Sequence, residues 1–170
     1  MKYFCVSDIH GHYDILVDGL KEKGWDQDNM GHKLIVIGDM VDRGPQNKEV
    51  LEFVHTLLKE NKAILIMGNH DVFLLDFFKG IFNKTLFNFK YNGHKKTINQ
   101  LLGYKVSNDS DFKEEQKELL EKYPHFYEML NNAPYYFEAG EYIFVHGGVY
   151  ASLDDWRDDT ARNMTWNNQA

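Results

Sequence analysis

Four short strings hold the side chains able to do chemistry: Ser7-Asp8-Ile9-His10-Gly11-His12, Gly38-Asp39-Met40-Val41-Asp42-Arg43-Gly44, Gly68-Asn69-His70-Asp71 and His146-Gly147-Gly148. Carboxylates, imidazoles and one amide oxygen, with no thiolate near them, suit Mn²⁺, Fe or Zn²⁺ and do not suggest an iron–sulfur cluster or a structural zinc knot. Asp8, His10, Asp39, Asn69 and His146 are the candidate metal ligands, with Mn²⁺ the first choice of ion. A carboxylate shared by two ions, as Asp39 can be from a central strand, holds them about 3.5–4 Å apart, where a shared hydroxide can attack phosphorus in line. Taken singly, Asp8-x-His10 or His146 reads as turn chemistry. The glycines flanking each string change that reading, because they stand where a backbone turns sharply or approaches a bound ion closely.

The elements that must position these strings follow from hydrophobic pattern. Lys2 to Val6, Lys33 to Ile37, Ala63 to Met67 and Glu141 to Val145 read as buried strands, and each runs directly into one of the four strings. Between the first three, Tyr13 to Lys23 and Gln46 to Lys59 carry apolar residues at helical spacing. Alternating strands and helices predict an α/β core with parallel strands and helices on the sheet faces. Strand carboxyl ends then share one edge, so residues distant in sequence converge there.

Residues 73–130 read as a helical insertion, with an apolar helical start at Val72 to Phe78 and a charged helix through Asp111 to Leu130. Its aromatics, Phe77, Phe78, Phe82, Phe87, Phe89 and Tyr91, are expected to pack the insertion onto the core rather than to form a substrate-stacking wall. His32, His55 and His125 have no partner pattern and read as surface or packing residues. His12 is not expected to ligate metal, and His94, in Asn92-Gly93-His94, is a candidate to reach substrate.

A chain of 170 residues, 43% of them apolar, can bury one sizeable core and predicts a single domain over residues 1–170. The formal charge of −7 lacks the positive field that nucleic-acid polymers require, though carboxylates neutralised by metal still admit a phosphorylated substrate. Cys5 is the single cysteine, so no intrachain disulfide forms; it reads as a core residue. No stretch reads as a signal peptide or a membrane span, which predicts a soluble, cytoplasmic protein without a membrane partner.

The motifs Asp-x-His-Gly, Gly-Asp-x-x-Asp-Arg-Gly, Gly-Asn-His-Asp and His-Gly-Gly, in that order after successive strands, resemble the calcineurin-like metallophosphoesterases. Within that family the chain looks like the phosphoprotein phosphatase branch, near bacterial and phage serine/threonine phosphatases and diadenosine tetraphosphatases. The resemblance implies a layered α/β core and two divalent ions: Asp8 and His10 on the first, Asp39 bridging, Asn69 and His146 on the second. It also implies His70 as the acid that protonates the leaving alkoxide, oriented by Asp42, and Arg43 with Asn69 as substrate contacts. A His held by a carboxylate keeps a proton to donate, and the planar fork of Arg43 matches phosphate. Asp71 stands where many members have Glu.

The resemblance also implies a further metal-binding His in a Gly-His-Thr-type motif and a second phosphate-binding Arg in Trp-x-Arg. No histidine follows His146, and Asn168 occupies the Arg position after Trp166. The chain is therefore expected to be a shortened form lacking the last strands of the fold. The expected function is hydrolysis of phosphate esters, first of phosphoserine or phosphothreonine in proteins. Alternatives are a dinucleoside polyphosphate hydrolase and a non-catalytic metal- or phosphate-binding module; the retained His70–Asp42 pair argues against the last.

Overall fold

The computed structural model describes residues 1–150 and 152–166. Strands β1 (Lys2–Val6), β2 (His32–Ile37) and β3 (Ala63–Ile66) form a parallel sheet in the order β1-β2-β3. The central strand is the most apolar, and Leu34, Ile35 and Val36 are wholly buried, as expected of a parallel strand covered on both faces. Helices α1 (Tyr13–Glu22) and α2 (Asn47–Lys59) join the strands, and α2 turns Val50, Leu51, Val54 and Leu57 into the core. At edge strand β1 the expectation for Cys5 fails. Phe4 is buried, but its neighbour Cys5 lies on the opposite, exposed face, because successive strand residues point to opposite sides.

After β3 the chain enters a run of five helices: α3 (Asn69–Phe78), α4 (Thr85–Tyr91), α5 (His94–Leu102), α6 (Lys113–Lys122) and α7 (Pro124–Asn132). The single charged helix expected from Asp111 to Leu130 is two helices. Pro124 is the reason: it lacks an N–H and takes the first position of α7, ending α6 before it. The insertion shares one hydrophobic core with the sheet and α2, reaching from Phe4 through Leu74, Phe77 and Ile98 to Phe126 and Leu130. Phe77, Phe89 and Phe112 pack ring on ring, with centroids 5.2–6.4 Å apart.

The fourth expected strand exists, but not in the parallel sheet. Strand β5 (Tyr142–Val145) pairs antiparallel with β4 (Tyr136–Ala139), which the sequence reading did not identify. Gly140, with φ of 62°, and Glu141 make the tight connection. A 3₁₀ turn (Trp156–Asp158) and a short helix, α8 (Ala161–Thr165), follow. The described residues include no helix long and apolar enough to cross a membrane.

Candidate metal centre

The loops leaving β1 and β2 are fastened to each other past the ends of the strands. Asp8 N–H donates to Gly38 O at 3.2 Å, His10 N–H to Asp39 O at 2.9 Å and Gly11 N–H to Met40 O at 2.9 Å. The ladder continues in a strained form, with positive φ at Asp8 (52°), His10 (46°), Asp39 (54°), Asp42 (74°) and Arg43 (66°). Five of the seven non-glycine residues with positive φ among those described thus lie in two loops. Such conformations cost on the order of 1–3 kcal/mol each and persist where surrounding structure forces them, commonly at functional sites. Gly68 and Gly44 permit the close approach: a methyl on Gly68 would collide with Asp39, and one on Gly44 with the carbonyl of His10.

Asp39 is the hub. It is buried, and its two oxygens face His146 Nε2 at 3.4 Å and His10 Nε2 at 3.6 Å. Its Oδ1 also accepts the His70 N–H at the start of α3, at 3.0 Å, where the helix dipole favours an anion. Burial alone would raise its pKa; the His146 hydrogen bond and charge, with the His70 N–H, hold it below the usual carboxylate value instead. Each flanking imidazole is anchored from behind. His10 Nδ1–H donates to Val41 O and His146 Nδ1–H to Ile37 O, both at 2.8 Å, which fixes each ring's orientation and turns each Nε2 toward Asp39. Ligand atoms of Asp8, Asp39 and His146 lie within 4.8 Å of one another, and so do those of His10, Asp39 and His70. This donor set fits divalent ions by its oxygen and imidazole chemistry and by its preset ring orientations.

Asn69 and His70 occupy the first turn of α3, which begins three residues earlier than the Val72 start read from the sequence. Asn69 lines a cavity of about 360 Å³ together with Asp8, Asp39, Arg43, His70 and His146. His70 Nδ1–H donates to Asp42 Oδ2 at 2.7 Å, so Asp42 holds the ring from one side while Nε2 faces the cavity. The guanidinium of Arg43 donates to both His70 Nε2, at 3.1 Å, and His10 Nε2, at 2.7 Å. It therefore points into the site and not at Asp42.

Three residues support the site in ways the sequence does not announce: His94 and Asp71 in roles other than those read for them, and Thr97, which was missed. His94 does not point at substrate: it is buried, and its Nδ1–H donates to Asp42 Oδ1 at 3.1 Å. Thr97 Oγ1–H donates to the same oxygen at 2.5 Å and accepts the Asp42 N–H at 3.0 Å. Burial opposes the Asp42 charge, but His94, His70 and Thr97 outweigh it and hold the carboxyl well below its ordinary range. Asp71, at the third position of α3, is fully buried and accepts N–H donors from Asp39 (2.8 Å), Gly68 (2.9 Å) and Met40 (3.0 Å). Burial and the neighbouring Asp39 push its carboxyl up to about 7, against those three donors. A polar residue on an otherwise apolar helix face was the one available signal for His94 and Thr97. His12 ends the first loop exposed, outside the cluster, and Asn168 lies outside the described residues.

A second cleft adjoins the first. It has a volume of about 820 Å³, shares Asn69, Thr165 and Trp166 with the metal-site cavity, and is walled by Phe73 and Phe87. Phe73 and Trp166 rings stand 5.7 Å apart. The packing expectation thus holds for Phe77, Phe78 and Phe89, which are buried, and fails for Phe87 and Tyr91, which are exposed at 59% and 61%.

A carboxylate hub between two preset imidazoles, on strand-end loops beside an α/β sheet, defines a metal-binding hydrolase class of site. The chain belongs to the calcineurin-like phosphoesterase family, whose model matches residues 1–170. It is 27% identical over 157 residues to the asymmetrical bis(5′-nucleosyl)-tetraphosphatase PrpE of Anoxybacillus flavithermus, covering 88% of this chain and 58% of that protein. It is 30% identical over 159 residues to the Bacillus subtilis protein of the same name, covering 89% and 59%. The chain therefore spans somewhat over half the length of these curated relatives. In fold it is similar to a putative diadenosine tetraphosphatase (TM-score 0.53, 22% identity, 89% of this chain and 52% of that one). It is also similar in fold to a serine/threonine phosphatase from Saccharomyces cerevisiae (TM-score 0.58, 17% identity, 96% and 48%).

Proposed function

We propose that this chain carries the catalytic residues of a metal-dependent phosphohydrolase acting on a nucleotide polyphosphate, with a dinucleoside polyphosphate as the preferred substrate class. The observation that carries the choice is the aromatic cleft sharing three residues with the metal-site cavity. A phosphate at Asp8, Asp39 and His146 leaves an attached nucleoside within reach of Phe73, Phe87 and Trp166, whose faces suit a base. The two tetraphosphatase relatives point the same way. That supports the dinucleotide reading over the phosphoserine or phosphothreonine reading first expected.

The protein's residues divide the work. Asp8, His10, Asp39, Asn69 and His146 would hold two divalent ions, for which Mn²⁺ is our choice by donor chemistry. Bound ions supply Lewis-acid activation of water and of phosphoryl oxygens. His70, its Nδ1–H held by Asp42, would take up a proton at Nε2 once Arg43 turns to phosphate, and would pass that proton to the departing oxygen. Arg43 caps the Nε2 atoms of His10 and His70; with His10 Nε2 turned to an ion, the Arg43 guanidinium would be free to clamp phosphoryl oxygens bidentately.

The test compares hydrolysis of diadenosine tetraphosphate, a phosphoserine peptide and p-nitrophenyl phosphate, each with Mn²⁺ and after chelation. The dinucleotide should give the highest kcat/KM, and chelation should abolish all three activities. Trp166→Ala should raise KM for the dinucleotide about tenfold, a stacking loss on the scale of 1–3 kcal/mol, and have a much smaller effect on p-nitrophenyl phosphate. Preference for the peptide, or equal effects of Trp166→Ala on both substrates, would overturn the nucleotide reading.

A further inference from the structure

Away from the metal centre, α2 and α7 bring together a second set of metal-type donors. Glu52 and His55 stand three residues apart on α2 and so share one helix face, while His125 sits in the first turn of α7. The sequence gives these residues no common pattern, because they lie 70 residues apart and meet only through helix packing. Their ligand atoms all fall within 4.8 Å of one another. His125 Nε2 lies 3.8 Å from Glu52 Oε2, and the two imidazole centroids are 4.8 Å apart at 48°. Two like-charged imidazolium rings would repel at that distance, and burial and His125 together push the His55 pKa down.

We propose that Glu52, His55 and His125 form a third metal site, distinct from the phosphoesterase centre, which takes one Zn²⁺-type ion and staples α2 to α7. Bonds of about 2.0–2.1 Å in tetrahedral geometry place ligand atoms roughly 3.4 Å apart, so the observed spacings need only small rotamer adjustments. Water is left to complete the set, and Glu128, three residues after His125, lines an open cavity of about 430 Å³ with His55 and His125 and adds negative charge beside them. The ion would meet a firm wall, since Phe126 is wholly buried and packs edge-on against His55, with ring centroids 6.4 Å apart. Glu52 and Glu128 offset its charge, while Lys59 opposes it. Two imidazoles and carboxylates select Zn²⁺ over Mg²⁺ or Ca²⁺, which prefer all-oxygen sites. The staple lies where the insertion returns to the core, because α7 leads through Pro134, whose carbonyl accepts the Met67 N–H at 2.9 Å at the end of β3.

The experiment loads the full chain with Zn²⁺, removes loose metal by gel filtration, and compares zinc content of wild type and His55→Gln/His125→Gln. The double variant should hold one zinc fewer per chain and keep its Mn²⁺-supported hydrolysis. Glu52→Gln should weaken the same site at least about tenfold. In metal-free wild type, titration with diamagnetic Zn²⁺ should also shift the ring-proton NMR signals of His55 and His125, a readout that needs no variant to fold. Equal zinc content in wild type and double variant, or unmoved His55 and His125 signals, would overturn the site.

Discussion

A single acid at the leaving group makes an asymmetric prediction. His70 Nε2 faces the cavity while its Nδ1 is tied to Asp42, so the ring can deliver a proton only to an oxygen that leaves there. An alkoxide leaving group needs that proton; p-nitrophenolate, a far weaker base, hardly does. His70→Asn should therefore lower kcat on an alkyl phosphate ester by about 10²–10⁴-fold and have a much smaller effect on p-nitrophenyl phosphate. Mn²⁺ content measured by elemental analysis should stay the same. Equal losses on both substrates would show that His70 positions metal or substrate instead of donating a proton. At this scale the sequence was informative for residues in the four strings, since ligand types next to strand ends betray themselves. It gave His94 a different role, reaching substrate, and was silent on Thr97, because both act on a carboxylate 52 and 55 residues away, and only tertiary packing creates that contact.

At the scale of elements, α3 is what turns a loop cluster into a rigid site. Its first turn donates to Asp39, its third residue ties three backbone N–H groups, and its apolar face sinks Leu74, Phe77 and Phe78 into the shared core. Asp71→Asn keeps one acceptor oxygen and turns an amide N–H₂ toward one of the three donors, leaving at least one buried N–H unpaired. The expected loss is about 1–3 kcal/mol in denaturant unfolding of the metal-free protein. Because burial raises the Asp71 pKa to about 7, ionising it costs stability as pH rises from about 4 toward 7. The Asn variant has no such proton to lose, so the gap between variant and wild type should be widest near pH 4 and narrow steadily toward pH 7. A gap independent of pH would mean that Asp71 stays charged throughout. The elements themselves were legible where apolar periodicity was strong, as in β1, β2, β3, α1 and α2. Strand β4 was not: Tyr136 to Ala139 is half-exposed and gains its strand character only by pairing with β5.

Across the whole molecule, proton and metal compete for the same imidazole, and the competition sets how the fold responds to pH. Burial disfavours charge on His146, but its hydrogen bond to Asp39, the Asp39 and Asp8 charges and the Ile37 carbonyl outweigh that and raise its pKa to about 9 in the metal-free chain. Its folded pKa lies above the unfolded value near 6.5, so the charged pair stabilises the metal-free fold fully below about pH 6.5. That contribution is lost as pH rises through about 9. A metal ion needs the neutral ring, and binding must therefore expel close to one proton at pH 7–8. Mn²⁺ affinity should rise by about one log unit per pH unit between pH 7 and 8.5, and the melting-temperature gain on adding Mn²⁺ should grow over the same range. Calorimetric titration in buffers of differing ionisation enthalpy measures the proton count directly. Release of no proton would mean that His146 is already neutral, and would remove the Asp39–His146 ion pair as a source of stability in the metal-free protein.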